Sequence, residues 1–337
     1  MKVLIIKTSS LGDLIHTLPA VTDAEKAIPD ITFDWVAEES FAEIPSWHPA
    51  VNKVVPIAIR RWRKKWNQAE VSKAVREIRR EKYDAIIDAQ GLIKSAIITR
   101  LAKGERYGLD KNSCKEPLAS LAYQHKISVP RDQHAIERIR QLFAKVLNYQ
   151  YDEAALDYGL DRNSFKTATN SRYLVFLHGT TWESKLYPEQ YWIELAQLAK
   201  KESFKVYFPW GNEEERLRAE RCAKQSDNAI VPDRMVLTKM AMLIAGSEGV
   251  VGCDTGLTHL SAALDVPGVT LYGSTSSGLT GTKGDRHLCL QAEFKCAPCM
   301  QKQCNYKESS TVTPACYQSL PAEMIWNNLQ QMRFCNE

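Results

Sequence analysis

The sequence has no long hydrophobic segment. None of its apolar runs reaches the roughly 18–20 residues that a membrane-spanning helix needs. Its first residues read as a strand, without the charged, apolar and cleavage regions of a secretory signal. We therefore expect a cytoplasmic protein.

The sequence also lacks a dinucleotide fingerprint. No G-x-G-x-x-G motif follows the first apolar run, Val3–Ile6, which is typical of a buried parallel strand. A single glycine, Gly12, stands at this turn with Asp13 beside it. An NAD-linked oxidoreductase is therefore disfavoured.

The length and the pattern of apolar runs predict two α/β domains. At 337 residues the chain is about twice a typical domain. Short apolar runs alternate with amphipathic stretches, which favours parallel sheets. We expect strands at Val3–Ile6, Thr32–Val36, Lys53–Pro56, Ala85–Asp88, Tyr173–Leu177, Lys205–Phe208, Gly249–Gly252 and Val269–Tyr272. Helices are expected at Gln68–Arg80, Ala135–Leu147, Pro188–Lys200, Glu213–Lys224 and Val236–Ala245.

The domain boundary is expected in the polar segment Asn148–Asn170, which has no clear periodicity. We predict an N-terminal Rossmann-like domain at residues 1–155 and a second at 156–320. A C-terminal helix in 321–337 is expected to pack back toward the first domain. Two such domains facing each other would bind ligands at the carboxyl ends of their strands.

The turn after the first strand points to acid–base chemistry. In a doubly wound sheet this loop faces the ligand, so Ser9, Ser10, Gly12 and Asp13 are candidates for the site. Asp13 can simply stabilise a first helical turn. Alternatively it is a general base that accepts a proton from an acceptor hydroxyl. An acid here would repel a pyrophosphate, so we expect the nucleotide to bind elsewhere.

A better phosphate site lies in the second half, in VVGCDTGLTHLSAA at residues 250–263. The backbone N–H groups of Thr255, Gly256 and Leu257 would open a helix after Asp254, where the helix dipole attracts anions. His259 can donate to the same oxygens, although a lone histidine is more often structural. A D-T-G turn can also be an ordinary helix cap.

Two other strand ends in this half carry polar groups. The segment HGTTWESK at residues 178–185 offers the hydroxyls of Thr180 and Thr181 and the ammonium of Lys185. The two threonines can instead cap the following helix. Glu213 can accept hydrogen bonds from ribose or merely begin its helix.

These motifs together resemble the ADP-heptose:lipopolysaccharide heptosyltransferases of glycosyltransferase family 9. The resemblance rests on KTSSLGDLIHTLPA, FDWVAEESFAEIPSWHPAV, PIAIRRWRK and YDAIIDAQGLIKSA in the first half. In the second half it rests on CDTGLTHLSAALDVP and TLYGSTSSGLTG. The first group is most similar to the heptosyltransferase I branch. The resemblance implies the GT-B fold and an inverting transfer of heptose from ADP-heptose to Kdo of the lipid A inner core.

The resemblance also implies roles for individual residues. Asp13 matches the general base. The implied donor contacts are Thr180, Thr181, Lys185, Glu213, Met235, Asp254, Thr255, Gly256 and His259. Met235 alone would be read as a core residue. No cofactor and no catalytic metal are implied.

The implied acceptor is a phosphorylated glycolipid, which explains the basic stretch RRWRKKW at residues 60–66. Its phosphates and carboxylates would pair with Arg60, Arg61, Arg63 and Lys64, with Trp62 and Trp66 at an anionic membrane surface. The alternative is a solvated helix face with inward tryptophans. Further acceptor candidates are Gln90, Lys94 and Lys115. We expect a monomer, peripheral on the inner face of the inner membrane, with no nucleic acid partner.

The cysteines depart from the heptosyltransferase I pattern. Cys296, Cys299, Cys304 and Cys316 resemble a feature of heptosyltransferase II, which leaves transfer onto a core heptose as an alternative. Four thiolates could also bind a structural zinc ion, although the spacing is not that of a standard zinc ribbon. A GT-B-type sugar-nucleotide epimerase is the second alternative function, but it leaves the basic stretch unexplained.

Overall fold

The fold consists of two compact α/β units. A computed structural model describes residues 1–166 and 171–334. The chain divides into Met1–Leu160 and Asp161–Glu337. The division falls inside the polar segment Asn148–Asn170, a few residues after the expected boundary.

The first unit has six strands and seven α-helices. Its strands are β1 (Lys2–Ile6), β2 (Thr32–Glu38), β3 (Val51–Ile57), β4 (Lys82–Asp88), β5 (Lys103–Leu109) and β6 (His125–Ile127). Its helices are α1 (Leu11–Ile15), α2 (Leu18–Ala27), α3 (Glu43–Ser46), α4 (Ile59–Trp62), α5 (Gln68–Ile78), α6 (Ile93–Leu101) and α7 (Ala135–Leu147). Short 3₁₀ helices occupy Glu39–Phe41 and Pro117–Ala122.

All strands of this unit are parallel, in the order β3-β2-β1-β4-β5-β6. The apolar run Val3–Ile6 is fully buried between β2 and β4, as expected for a central parallel strand. The strand order reverses between β1 and β4. In such sheets the loops at this switch point form the ligand site.

The second unit repeats this plan. Its strands are β7 (Tyr173–Leu177), β8 (Lys205–Tyr207), β9 (Ala229–Ile230), β10 (Gly249–Cys253), β11 (Gly268–Tyr272) and β12 (His287–Gln291). Its α-helices are α8 (Glu189–Lys201), α9 (Glu213–Ala223), α10 (Leu237–Ala245), α11 (Gly256–Ala263), α12 (Ser277–Thr280) and α13 (Ala322–Phe334). Short 3₁₀ helices lie at Arg162–Phe165, Glu183–Lys185 and Ala315–Ser319.

The second sheet is also parallel, in the order β12-β11-β10-β7-β8-β9, with its switch point between β7 and β10. The predicted fold class, two Rossmann-like α/β domains with parallel sheets, is confirmed.

The C-terminal helix α13 completes the core of the second unit. Ile325, Trp326 and Leu329 are buried in the cluster that also contains Trp192 of α8. The helix packs on α8 and on the strands β10 and β11. Its expected packing toward the first domain stays a prediction.

No helix within residues 1–166 and 171–334 has both the length and the apolar character that crossing a bilayer requires.

Candidate active site

Several predicted site residues lie at the switch point of each sheet. In the first unit, the segments after β1 and β4 carry Asp13 in α1 and Lys94 in α6. In the second unit, the loops after β7 and β10 carry Lys185 and Asp254.

Asp13 presents an accessible carboxylate in the first turn of α1. Its side chain is 46% exposed. Oδ2 accepts hydrogen bonds from the backbone N–H of Ser10 at 2.5 Å and from the Ser10 hydroxyl at 2.8 Å. The neighbouring Gly12 is buried. The carboxylate therefore caps its helix, as the structural alternative predicts, and remains open to a substrate.

Lys7 is a buried cation beside Asp13, and the sequence analysis does not name it as a site residue although it begins the segment KTSSLGDLIHTLPA. Its ammonium donates to the carbonyl of Ala89 at 2.8 Å and lies 3.9 Å from Oδ1 of Asp13. Burial lowers the pKa of Lys7, opposed by the charges of Asp13 and of buried Asp88. Lys7 thus holds a positive charge close to the carboxylate of the candidate base, Asp13.

Two side chains after β4 contact the loop that leads to Asp13. The Gln90 amide accepts from the backbone N–H and hydroxyl of Thr8 at 2.8 and 2.7 Å and donates to the carbonyl of Ser9 at 2.9 Å. Lys94 donates to the Ser9 hydroxyl at 2.8 Å. Partial burial lowers the pKa of Lys94. The structure therefore brings Ser9, Gln90 and Lys94 together near Asp13.

Asp88 holds the loop after β4 in place. Its buried carboxylate accepts from the N–H groups of Gln90 and Gly91 and from the hydroxyl of Tyr123, at 2.7–3.0 Å. Burial raises its pKa despite these bonds. The Cα of Gly91 is close to Lys115, since a Cβ built there would lie 3.7 Å from the Lys115 backbone nitrogen. Lys115 is exposed beside this loop.

The basic stretch has features of both interpretations made from sequence: some of its side chains are exposed, and others are packed or paired within the protein. Trp62 is half-buried, packs against the core of the first unit and donates to Glu70 at 2.9 Å. Trp66 is 68% exposed. Arg61 forms ion pairs with Glu39 and Glu70 at 3.0 and 2.7 Å. Arg61 is thus engaged within the protein.

The other predicted acceptor cations are exposed. Arg60 stacks over the ring of Phe41 at 4.9 Å, and its backbone N–H donates to Glu38 at 3.1 Å. Arg63 and Lys64 lie on the surface at the end of α4. Three of the four predicted cations in this stretch are therefore accessible to an anionic ligand.

In the second unit, Asp254 organises a compact polar cluster. Its Oδ2 lies 2.6 Å from the ammonium of Lys185 and accepts from the Thr275 hydroxyl at 2.7 Å. Its backbone carbonyl accepts from the hydroxyl of Thr180 at 3.1 Å. His259 is buried one turn into α11, with Nε2 3.9 Å from Oδ1 of Asp254. The predicted residues Thr180, Lys185 and His259 therefore surround Asp254, together with Thr275, which the sequence analysis does not name.

The start of α11 adds backbone donors. Thr255 is the N-cap residue, and Gly256 and Leu257 follow it, half-buried. Gly252 lets the helix pack close to β10, because a Cβ there would lie 2.2 Å from the Thr258 methyl. The free N–H groups of a helix start favour anions.

The glutamate that faces the β7 loop is Glu215, not Glu213. Glu213 is exposed and paired with Arg216 at 2.5 Å. Glu215 accepts from the Gly211 N–H at 2.7 Å. A Cβ at Gly179 would lie 2.6 Å from the Glu215 carboxyl carbon. Glu215 is thus a further candidate site residue, which the sequence analysis does not name.

The remaining predicted donor residues lie around this cluster. Thr181 is exposed, and Met235 is half-buried directly before α10. Trp182 stacks beneath the Lys185 ammonium at 4.6 Å.

The cysteine-rich segment supports the Lys185 loop. Cys296, Cys299, Cys304 and Cys316 line a cavity of about 220 Å³ together with Ser184. Among residues 1–166 and 171–334, no three Cys, His, Asp or Glu side chains are placed to hold a metal ion. Burial and the neighbouring thiols raise the pKa of Cys316 to about 12. A structural zinc ion at these four thiols stays a prediction.

Hydrogen bonds fix the same loop from this side. The Tyr317 hydroxyl donates to the Lys185 carbonyl at 2.9 Å, and the Ser184 hydroxyl donates to the Gln301 carbonyl at 2.5 Å.

Cys253 is fully buried, and burial raises its pKa to about 12, so it is no nucleophile.

Comparison with known proteins identifies the family. The sequence pattern of glycosyltransferase family 9 (heptosyltransferase) matches residues 71–309. Lipopolysaccharide heptosyltransferase 1 of Pseudomonas aeruginosa is 47% identical, covering 100% of this chain and 99% of its own. The protein of that name in Escherichia coli K12 is 48% identical, covering 87% and 94%.

Solved structures agree with this assignment. E. coli heptosyltransferase WaaC with ADP superposes with a TM-score of 0.83 at 47% identity, over 87% of this chain and 94% of that one. E. coli heptosyltransferase II shares the fold, with a TM-score of 0.75 at 18% identity over 99% of both chains. The chain is a glycosyltransferase and belongs to glycosyltransferase family 9 (heptosyltransferase).

Proposed function

We propose that the protein transfers heptose from ADP-heptose to Kdo of the lipid A inner core, with inversion at the anomeric carbon. One observation carries the proposal: the chain is 47% identical, over its whole length, to a lipopolysaccharide heptosyltransferase 1. The solved relatives include one with ADP and one with ADP-2-deoxy-2-fluoro heptose.

The proposed donor site is the Asp254 cluster of the second unit. The Lys185 ammonium and the N–H groups of Thr255, Gly256 and Leu257 supply positive charge for the diphosphate. As the bond to the anomeric carbon breaks, negative charge grows on the departing ADP. Preorganised donors that meet this charge lower the barrier.

The proposed base is Asp13 of the first unit. Its exposed carboxylate takes the proton of the acceptor hydroxyl as that oxygen attacks the anomeric carbon. Ser10 and Lys7 hold the carboxylate in place. Lys94, Lys115, Arg60, Arg63 and Lys64 offer cations to the acidic groups of the acceptor. No metal or cofactor takes part in the proposed reaction.

We also propose that the enzyme works at the cytoplasmic face of the inner membrane, where this acceptor lies, and that it is a peripheral monomer. The second-heptose alternative has weaker support, because E. coli lipopolysaccharide heptosyltransferase 2 is only 24% identical. The epimerase alternative is not supported, because the matched family is one of transferases.

The deciding experiment offers ADP-heptose with Kdo-lipid A, with heptosylated Kdo-lipid A, or without acceptor. We expect ADP release and a product one heptose heavier only with Kdo-lipid A. Turnover only with the heptosylated acceptor would assign second-heptose transfer instead. Consumption of ADP-heptose without any acceptor would contradict a transferase of this specificity.

A further inference from the structure

An exposed aliphatic surface lies beside the proposed acceptor site. It is formed by Ile93 and Ile97 of α6 and by Leu118 and Leu121 of the 3₁₀ helix Pro117–Ala122, and we call it the α6 patch. The four side chains are 45%, 59%, 66% and 71% exposed, respectively. Large exposed apolar groups that adjoin one another mark interaction surfaces.

The two elements that carry the patch are neighbours in the fold. Ile93 and Ile97 are four residues apart, on one side of α6. Leu118 and Leu121 are three residues apart, and such residues eclipse in a 3₁₀ helix. The two elements pack together, and Glu116 accepts from the Ile93 N–H at 2.6 Å.

The buried sides of these elements explain why the patch faces outward. Ala96, Ile98 and Thr99 of α6 are buried, as are Ala119 and Ser120 of the 3₁₀ helix. The fold is thus already anchored by other side chains. The four exposed residues are not needed to complete the core.

Positive charge borders the patch. Lys94 and Arg100 lie on α6 itself, and Lys115 immediately precedes Glu116, the N-cap residue of the 3₁₀ helix. Lys94 is close enough to Arg60 for the two charges to repel, which adds to the lowering of its pKa. Aliphatic side chains flanked by lysine and arginine are the combination that binds an anionic lipid surface.

We propose that the α6 patch docks the enzyme on an anionic bilayer. The inference rests on the proposed function, since a glycolipid acceptor keeps its acyl chains in the membrane while its sugar reaches Asp13. The α6 patch lies close to the candidate base, because Lys94, between Ile93 and Ile97 in sequence, donates to Ser9 in the loop before Asp13. Ile97, Leu118 and Leu121 enter the acyl region and Arg100 contacts lipid phosphates, while Lys94 and Lys115 face the acidic groups of the acceptor.

The test compares two double variants in flotation with vesicles of phosphatidylcholine and phosphatidylglycerol. The first is Leu118→Ser with Leu121→Ser. The matched control is Leu217→Ser with Met324→Ser, which removes two exposed apolar side chains from the second unit. We expect the partition coefficient to fall about tenfold in the first variant only. Ile97→Ser alone should give a smaller fall in the same direction.

Further measurements separate the possible outcomes. Wild-type binding should weaken on pure phosphatidylcholine vesicles. Both double variants should keep wild-type turnover with acceptor dispersed in nonionic detergent. Equal vesicle binding by the patch variant and the wild type would overturn the proposal. A change in molar mass by light scattering, without a change in vesicle binding, would make the patch a contact between copies and also overturn it. Loss of vesicle binding in an enzyme inactive on every acceptor would retain the patch and reject the proposed function.

Discussion

The ammonium of Lys185 lies 2.6 Å from the carboxylate of Asp254, and both side chains are largely buried. The lysine that we assign to the diphosphate is therefore already held by an acid of the protein. This pairing positions the cation, and it also limits how much positive charge the nucleotide meets.

Lys185→Ala should weaken ADP binding strongly. It removes a charge-assisted contact and leaves Asp254 as an uncompensated anion near the diphosphate. We expect the Kd for ADP, measured by calorimetry, to rise about tenfold to a hundredfold. Lys201→Ala, at an exposed lysine of α8, is the control.

The double variant Lys185→Ala/Asp254→Asn should recover part of that loss, because the unpaired acid is gone. An unchanged Kd in Lys185→Ala would remove this residue from the phosphate site.

Glu215→Gln should weaken ADP binding, whereas Glu213→Gln should not. Glu215 faces the Gly179 loop, and Glu213 pairs with Arg216 at the surface. The amide introduced by Glu215→Gln can still accept from the Gly211 N–H, so the helix start should persist. We expect a several-fold rise in Kd for the first variant, of the size of one hydrogen bond to a charged group. The opposite order would restore Glu213 as the site residue.

These two glutamates show what sequence could predict. Asp13, Asp254 and the start of α11 were predicted because each closely follows a buried apolar strand. Glu213, Glu214 and Glu215 are consecutive, and their order alone does not tell which one faces inward. The rotation of α9 about its axis, which decides which glutamate faces inward, is set by the N-cap residue Asn212, whose side chain accepts from the Glu215 N–H. That rotation is visible only in the structure.

Other residues were missed for different reasons. Lys7 reads as a surface lysine after a strand, and its burial depends on contacts with Ala89 far along the chain. The strands β5, β6 and β9, of which β6 and β9 lie at sheet edges, are short or rich in polar and charged residues, so they lack the apolar run that identified the central strands. Their place in the sheet is determined by pairing with neighbours.

Asp13→Asn should abolish most turnover and spare donor binding. Asparagine keeps the size of the side chain but cannot accept the proton. We expect kcat to fall about 10²–10⁴-fold, the usual contribution of a general base. The Kd for ADP should stay within about twofold of the wild-type value. Near-native kcat at saturating substrates would show that another group removes the proton.

Lys7→Met should lower turnover and spare donor binding. The buried ammonium lies 3.9 Å from the Asp13 carboxylate and favours its charged form, which is the form that accepts a proton. We expect kcat to fall several-fold and the Kd for ADP to stay unchanged, and Lys7→Arg to restore kcat in part because the positive charge returns. A Lys7→Arg variant as slow as Lys7→Met would indicate a structural role through the Ala89 contact.

Lys94 should make acceptor binding sensitive to alkaline pH. Its ammonium attracts acidic groups only when protonated, and burial lowers its pKa from the ordinary 10.5. The KM for the acceptor should therefore begin to rise at a lower pH than an ordinary lysine would cause. Lys94→Arg, which stays charged, should flatten this rise. Identical profiles for the two proteins would exclude Lys94 from acceptor binding.

Tyr317 links the nucleotide loop to a part of the chain outside the matched family pattern. The pattern ends at residue 309, yet the Tyr317 hydroxyl bonds the Lys185 carbonyl, and α13 supplies core residues beyond it. A truncation at the end of the pattern would therefore remove the support beneath Lys185 together with part of the hydrophobic interior. A fragment that still binds a nucleotide must therefore extend through α13.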